Sequence, residues 1–133
     1  MKSTTPIRYL AVLVTLLTAV PEIVEARNFR SAMSPNGDVF SCSACHIRAQ
    51  GGGARTPFGE AVNGLVTRNG REEFWTTALA ALDSDGDGAS NGTELGDPDG
   101  DGTATEGAEV TNPGDPNSAP SGATLFYEQN FDS

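Results

Sequence analysis

The sequence predicts a small, mainly α-helical domain with extensive irregular loops and two short helices. Three observations lead there. Only residues 56–70 and 71–82 space their apolar side chains at a helical period. From Asp83 onward the chain is dominated by Asp, Gly, Pro, Asn and Thr. The large apolar residues between are too few to build a core unaided, so the fold calls for a staple such as a metal, a disulfide or a cofactor.

The N-terminus reads as an export signal. Lys2 and Arg8 give it positive charge, Tyr9 to Val20 form an apolar run, and Val24-Glu25-Ala26 offers a cleavage site before Arg27. The run is short for a bilayer span; an uncleaved anchor would end at Pro21 and Glu22. No cysteine follows it directly to take a lipid. The expected destination is the periplasm, the cell surface or the extracellular space.

Charge is unevenly placed. Between Arg27 and Leu82 six arginines face four acids, whereas from Asp83 to the end there are twelve acids and no Lys or Arg. The formal charge of −10 is thus a property of the second half. That argues against nucleic acid and favours divalent cations or a basic partner.

Ser34-Pro35-Asn36-Gly37-Asp38 predicts a turn. The next stretch, Cys42-Ser43-Ala44-Cys45-His46, holds both cysteines and the single histidine of the chain. As C-x-x-C-H it is the attachment pattern of a c-type haem, with thioethers on Cys42 and Cys45 and His46 as proximal iron ligand. A Cys42–Cys45 disulfide is the simpler alternative. A thioredoxin-like site would need a βαβ frame that is missing, and zinc would be one ligand short. Met33, nine residues before Cys42, is the candidate distal ligand, since an extended segment of that length reaches about 30 Å. An open high-spin iron, the α-amino group of Arg27 or a neighbouring subunit's ligand are the other options. Arg48 and Arg55 are candidate propionate partners or plain surface arginines. Gly51-Gly52-Gly53 permits a sharp bend, a close approach or a flexible spacer.

Thr56-Pro57 starts the first helix, with Thr56 as N-cap; Phe58, Ala61, Val62, Leu65 and Val66 give its apolar face, Gly64 weakens it, and Asn69-Gly70 stops it. A second helix is expected from Arg71 to Leu82, with Glu72 and Glu73 in its first turn and Phe74, Ala78, Leu79 and Leu82 inward.

Asp83-Ser84-Asp85-Gly86-Asp87-Gly88-Ala89-Ser90-Asn91-Gly92-Thr93-Glu94 matches a twelve-residue EF-hand calcium loop. Asp83, Asp85 and Asp87 take positions 1, 3 and 5, Ala89 supplies a backbone carbonyl, Asn91 acts directly or through water, and Glu94 closes the shell. Gly96 and Pro98 forbid a long exit helix, so the site is expected to be static. Asp97, Asp99 and Asp101 repeat the first positions, with Ala108 at position 12, so Glu106 or Glu109 would complete a second calcium site. Thr103 to Gly122 is expected to wrap as a loop or stay disordered. Leu125-Phe126-Tyr127 and Phe131 form an apolar tail, an edge strand or a contact for another chain.

With these residues in view, Gly51 to Gly59, Trp75-Thr76-Thr77-Ala78-Leu79, Asp83 to Pro98 and Thr111-Asn112-Pro113-Gly114 together resemble the temptin-type secreted domain, over roughly residues 46–115. Its acidic tail is similar to thrombospondin type 3 calcium repeats. The resemblance implies an extracellular, calcium-stabilised module, with pheromone signalling in the animal member. It also implies a disulfide between flanking cysteines, one just after Gly-Asp-Pro, where this chain has Asp99.

The expected organisation is a signal peptide (1–26), a haem- and calcium-binding domain (27–115) and a C-terminal tail (116–133). The expected function is that of an exported monohaem c-type cytochrome, braced by one or two calcium ions, passing electrons to a redox partner protein of basic charge. Self-assembly through the tail is an extension of that reading. The rival is a non-redox, calcium-dependent temptin-like binding or adhesion module with a Cys42–Cys45 disulfide. No nucleophile–base pair supports an enzyme.

Overall fold

The computed structural model describes residues 28–68 and 70–122. The signal segment, the apolar tail beyond Gly122 and Asn69 lie outside the described residues. What is described is small and mostly loop, with a few short helices and, among the described residues, a single isolated bridge in place of strands. None of these helices is long and apolar enough to cross a membrane.

A 3-10 turn at Asn28–Met33 leads into the predicted turn, where Asn36 takes the left-handed conformation (φ 50°) and its amide donates to the carbonyl of Leu95 at 2.9 Å. Two single-turn helices follow, α1 (Gly37–Phe40) and α2 (Cys42–Cys45). His46 then pairs with Arg55 in an antiparallel bridge. The chain reverses between them through Gly51, Gly52 and Gly53, all at φ between 70° and 82°. Open space surrounds Gly52 and Gly53, so these glycines serve the bend and not a close approach.

Helix α3 (Pro57–Asn63) begins where the sequence places it. Thr56 caps it, its Oγ1 accepting from the Gly59 N–H at 3.0 Å, and Pro57 fills the first helical position. It is shorter than expected, ending at Gly64 and leaving Leu65 exposed. The second predicted helix is mostly absent. Residues 71–76 are irregular, and only Thr77–Ala80 (α4) is helical, capped by Thr76. The Glu72 carboxylate, assigned by sequence to a helix first turn, instead accepts from the backbone N–H and hydroxyl of Thr67 and closes a turn there. Arg30 donates to the carbonyls of Thr67 and Gly70 and locks the same turn. With its first-turn acid spent outside the helix and a threonine cap waiting at position 76, the helix starts late.

Helix α5 (Asn91–Glu94) follows the first acidic loop and is a single turn, ended by Gly96 at φ 74°. Residues 103–122 wrap back over the body without regular structure, burying Thr111, Pro113 and Gly114. The core is Ala44, Phe58, Val62, Phe74, Leu79 and Leu95, with Met33, Phe40, Cys45, Val66, Trp75 and Val110 packed against it. At about 1.5–3 kcal/mol for each large apolar side chain buried, so few contribute little surplus over chain entropy. Val39, Ile47, Leu65 and Leu82 remain at least half exposed, which thins the core further.

Candidate metal centre

The first acidic loop shapes itself with its own side chains. Asp83 accepts from the N–H groups of Gly86 (2.7 Å) and Gly88 (3.0 Å), and Asp87 accepts from Ala89 (2.8 Å). Alternate residues then face one centre, and Asp83, Asp85 and Asp87 each bring an oxygen within 4.8 Å of the others.

Helix α5 adds Glu94, which is fully buried. Its Oε1 accepts from the Thr111 hydroxyl at 3.2 Å, while Oε2 is buried with no hydrogen-bond partner among the described residues. Asp85 Oδ2 and Asp87 Oδ2 are in the same position. Burial, and then the charges of Asp85, Asp87 and Asp83, push the Glu94 carboxyl up to about 8. Asp85 is raised too, by burial and then by Asp87. Buried carboxylate oxygens without donors are costly, and an all-oxygen set of this kind suits a hard divalent cation.

Two other members of the predicted set sit differently. Asn91 is buried, but its amide donates to the Leu79 carbonyl (2.8 Å) and accepts from the Ser84 N–H (3.3 Å), tying α4 to the loop. Ala89 is buried at position 7 of the loop, with its N–H held by Asp87.

The second loop repeats the first fourteen residues later. Asp97 accepts from the N–H groups of Gly100, Asp101 and Gly102, and Asp101 accepts from Thr103, as Asp87 does from Ala89. Asp97, Asp99 and Asp101 also come within 4.8 Å of one another. A feature invisible to the calcium-loop pattern is the Trp75 indole, which donates to Asp97 Oδ2 at 2.7 Å. Burial pushes Asp97 up, but hydrogen bonds from Trp75 and Gly102 outweigh it and hold the carboxyl below its ordinary value. Asp99 is raised by its hydrogen bond with Asp97 and the charge of Asp101. Glu106 is exposed, and Glu109 is committed to the N–H and hydroxyl of Ser121. Trp75 could have been found from sequence only by asking where its N–H goes once the ring is packed. Thr111, which holds Glu94, left no such signal.

The C-x-x-C-H stretch lies elsewhere. Cys42 and Cys45 stand one helical turn apart on α2 and are unbridged. Cys45 packs against the core, and its thiol is pushed up to about 11 by burial and then by Cys42, with Arg30 partly offsetting both. His46 leaves α2 in extended conformation, with Nδ1 buried and unpartnered among the described residues. The main-chain carbonyls of this turn are taken by the start of α3, while Cys42, Cys45 and His46 are half-buried. Thr56 donates its N–H to the Cys45 carbonyl (3.1 Å) and its hydroxyl to that of Ala44 (2.5 Å). A Cβ on Gly59 would collide with the Cys45 carbonyl. Met33 packs on the core, Arg55 pairs with Glu60 at 3.3 Å on the surface, and Arg48 is exposed.

A family model described as temptin C-terminal matches residues 23–120. Temptin from Aplysia californica is 52% identical over 54 residues, which make up 41% of this chain and 38% of that protein. The chain therefore spans well under half the length of this curated relative. No solved structure matches. The similarity is to an extracellular, non-cytochrome class, and it overturns the haem reading: haem c, its iron and electron transfer are withdrawn. Cys42, Cys45 and His46 lose their roles as haem attachment and iron ligand, Met33 as distal ligand, and Arg48 and Arg55 as propionate partners. The structure also gives several of these side chains other partners: Cys45 and Met33 pack on the core, and Arg55 pairs with Glu60.

Proposed function

Because the chain belongs to the temptin C-terminal family and is an exported protein, we propose that it works outside the cell as a non-redox, calcium-dependent binding or adhesion module. The observation that carries this is the buried, donorless oxygen of Glu94, together with those of Asp85 and Asp87, whose charges reach it. Asp83, Asp85, Asp87 and Glu94 would hold a calcium ion, and the ion would neutralise charges that otherwise repel, two of them on the buried side chains of Asp87 and Glu94. Glu94 also accepts the Thr111 N–H at its carbonyl (2.8 Å) and the Thr111 hydroxyl at Oε1 (3.2 Å), which ties the wrapped C-terminal segment to the site. Asp97, Asp99 and Asp101 offer a second, more exposed site, with Glu106 the acid left to close it.

A second staple is part of this proposal: Cys42 and Cys45, one helical turn apart, would close into a disulfide in the oxidising compartment the chain enters. The family is not one of known enzymes, and binding requires no reacting group. Calcium titration of the purified protein, followed by thermal unfolding, tests the reading. The melting temperature should rise with calcium and fall with chelator; identical melting in both would sink it. Intact mass should fall by the two hydrogens lost to the disulfide, and thiols that react fully without reductant would count against that staple.

A further inference from the structure

Beside the second acidic loop lies a cavity of about 380 Å³, lined by Ala32, Met33, Glu73, Trp75 and the Gly100-Asp101-Gly102 stretch. Its size is at the lower end of ligand-binding clefts, roughly 300–1,000 Å³. Its walls combine an indole ring, a thioether and two carboxylates. No basic residue lines it. The nearest arginines in sequence are occupied elsewhere: Arg30 on the carbonyls of Thr67 and Gly70, Arg71 over the Phe29 ring at 4.5 Å. Asp101 accepts the Thr103 N–H and belongs to the second acidic cluster, so the charge of Glu73 is the one left for something outside the chain. The ring is also set in advance, because Asp97 holds the Trp75 N–H at 2.7 Å. A fixed aromatic wall lowers the ordering cost of binding.

We propose that this cavity receives the guanidinium head of an arginine side chain on a partner protein. The proposal deepens the binding-module reading and rests on it. An indole is the best aromatic partner for a cation, and arginine meets it more often than lysine does. The planar fork can donate to Glu73 while its face lies on the ring. Trp and Arg are also the side chains most enriched where protein interfaces concentrate their affinity. A partner presenting arginine would be drawn by the acidic half of a chain of net charge −10.

The test uses the single tryptophan as its own reporter. The calcium-loaded protein is titrated at physiological salt with N-acetyl-arginine amide, and in parallel with the neutral isostere N-acetyl-citrulline amide. The arginine derivative should change Trp75 emission saturably and the citrulline derivative should not. Glu73→Gln should weaken binding by about threefold or more, and Ala32→Phe, which fills the cavity, should abolish it. Both positions are exposed, so both variants should melt like the parent. Equal responses to the two amides, or parent-like binding by both variants, would overturn the proposal. Calcium stabilisation without an arginine response defeats this assignment alone. An arginine response without calcium stabilisation defeats the calcium reading and leaves the cavity standing.

Discussion

The Trp75 indole N–H donates to the buried carboxylate of Asp97 across 2.7 Å, joining the strip before α4 to the second acidic loop. Phe74, its neighbour, is buried in the core. Residues 71–76 are not helical, so consecutive side chains can point to opposite sides, one to the core and one to the loop.

Trp75→Phe keeps a ring and removes the donor. It should cost about 1.5–3 kcal/mol, as expected for a hydrogen bond to a charged group. Urea unfolding checks it, and a midpoint equal to the parent's would show that the contact contributes nothing.

Glu94→Gln should have opposite effects in two conditions. Without calcium it removes a buried charge that repels Asp85 and Asp87, so the variant should melt higher than the parent at pH 8. With calcium it removes the ligand that closes the shell, so the variant should gain far less from the ion. Paired melts in chelator and in calcium read both signs. A variant that gains as much from calcium as the parent would remove Glu94 from the site.

The pH dependence of the calcium-free protein follows from the same side chain. Glu94 sits at about 8 in the folded state against an ordinary 4.5. Between those values the folded state holds a proton that the unfolded state has lost, so stability falls as pH rises. The contribution is fully present below about 4.5 and gone above about 8. Asp85, also raised, adds in the same direction. Melts in chelator should therefore be lower at pH 8.5 than at pH 5, and calcium should abolish or invert the trend. Equal calcium-free melting at both pH values would refute the assignment.

Gly59→Ala should be among the most damaging single substitutions, because the new Cβ meets the Cys45 carbonyl directly. Overpacking of this kind costs about 1–3 kcal/mol. Chemical denaturation measures it; a neutral result would mean that α2 and α3 are less closely seated than described here.

Local chemistry was legible in the sequence where a residue's partner lies within a few positions. Thr56 caps α3 as its spacing implies, and Gly88 makes the bend expected of it, at φ 93°. Readings failed where the partner is remote. The Arg71–Leu82 helix was inferred from an apolar stripe, but Glu72 is drawn back to Thr67 and Trp75 forward to Asp97, and neither pull shows in a helical period. The C-x-x-C-H motif misled for a related reason. Its spacing is local and complete, but the packing of Cys45 and Met33 on a core drawn from remote residues such as Phe74, Leu79 and Leu95 shows in no motif.

The burial of Glu94 bears on when the chain folds. A side chain that is costly until an ion answers it makes compactness conditional on place. In a calcium-poor cytosol the cost of burying this acid would keep the newly made polypeptide loose, the state a secretion channel can thread. Past the membrane, where calcium is plentiful, the same residue would reward closing up, so one acid would act as a latch that sets only at the destination.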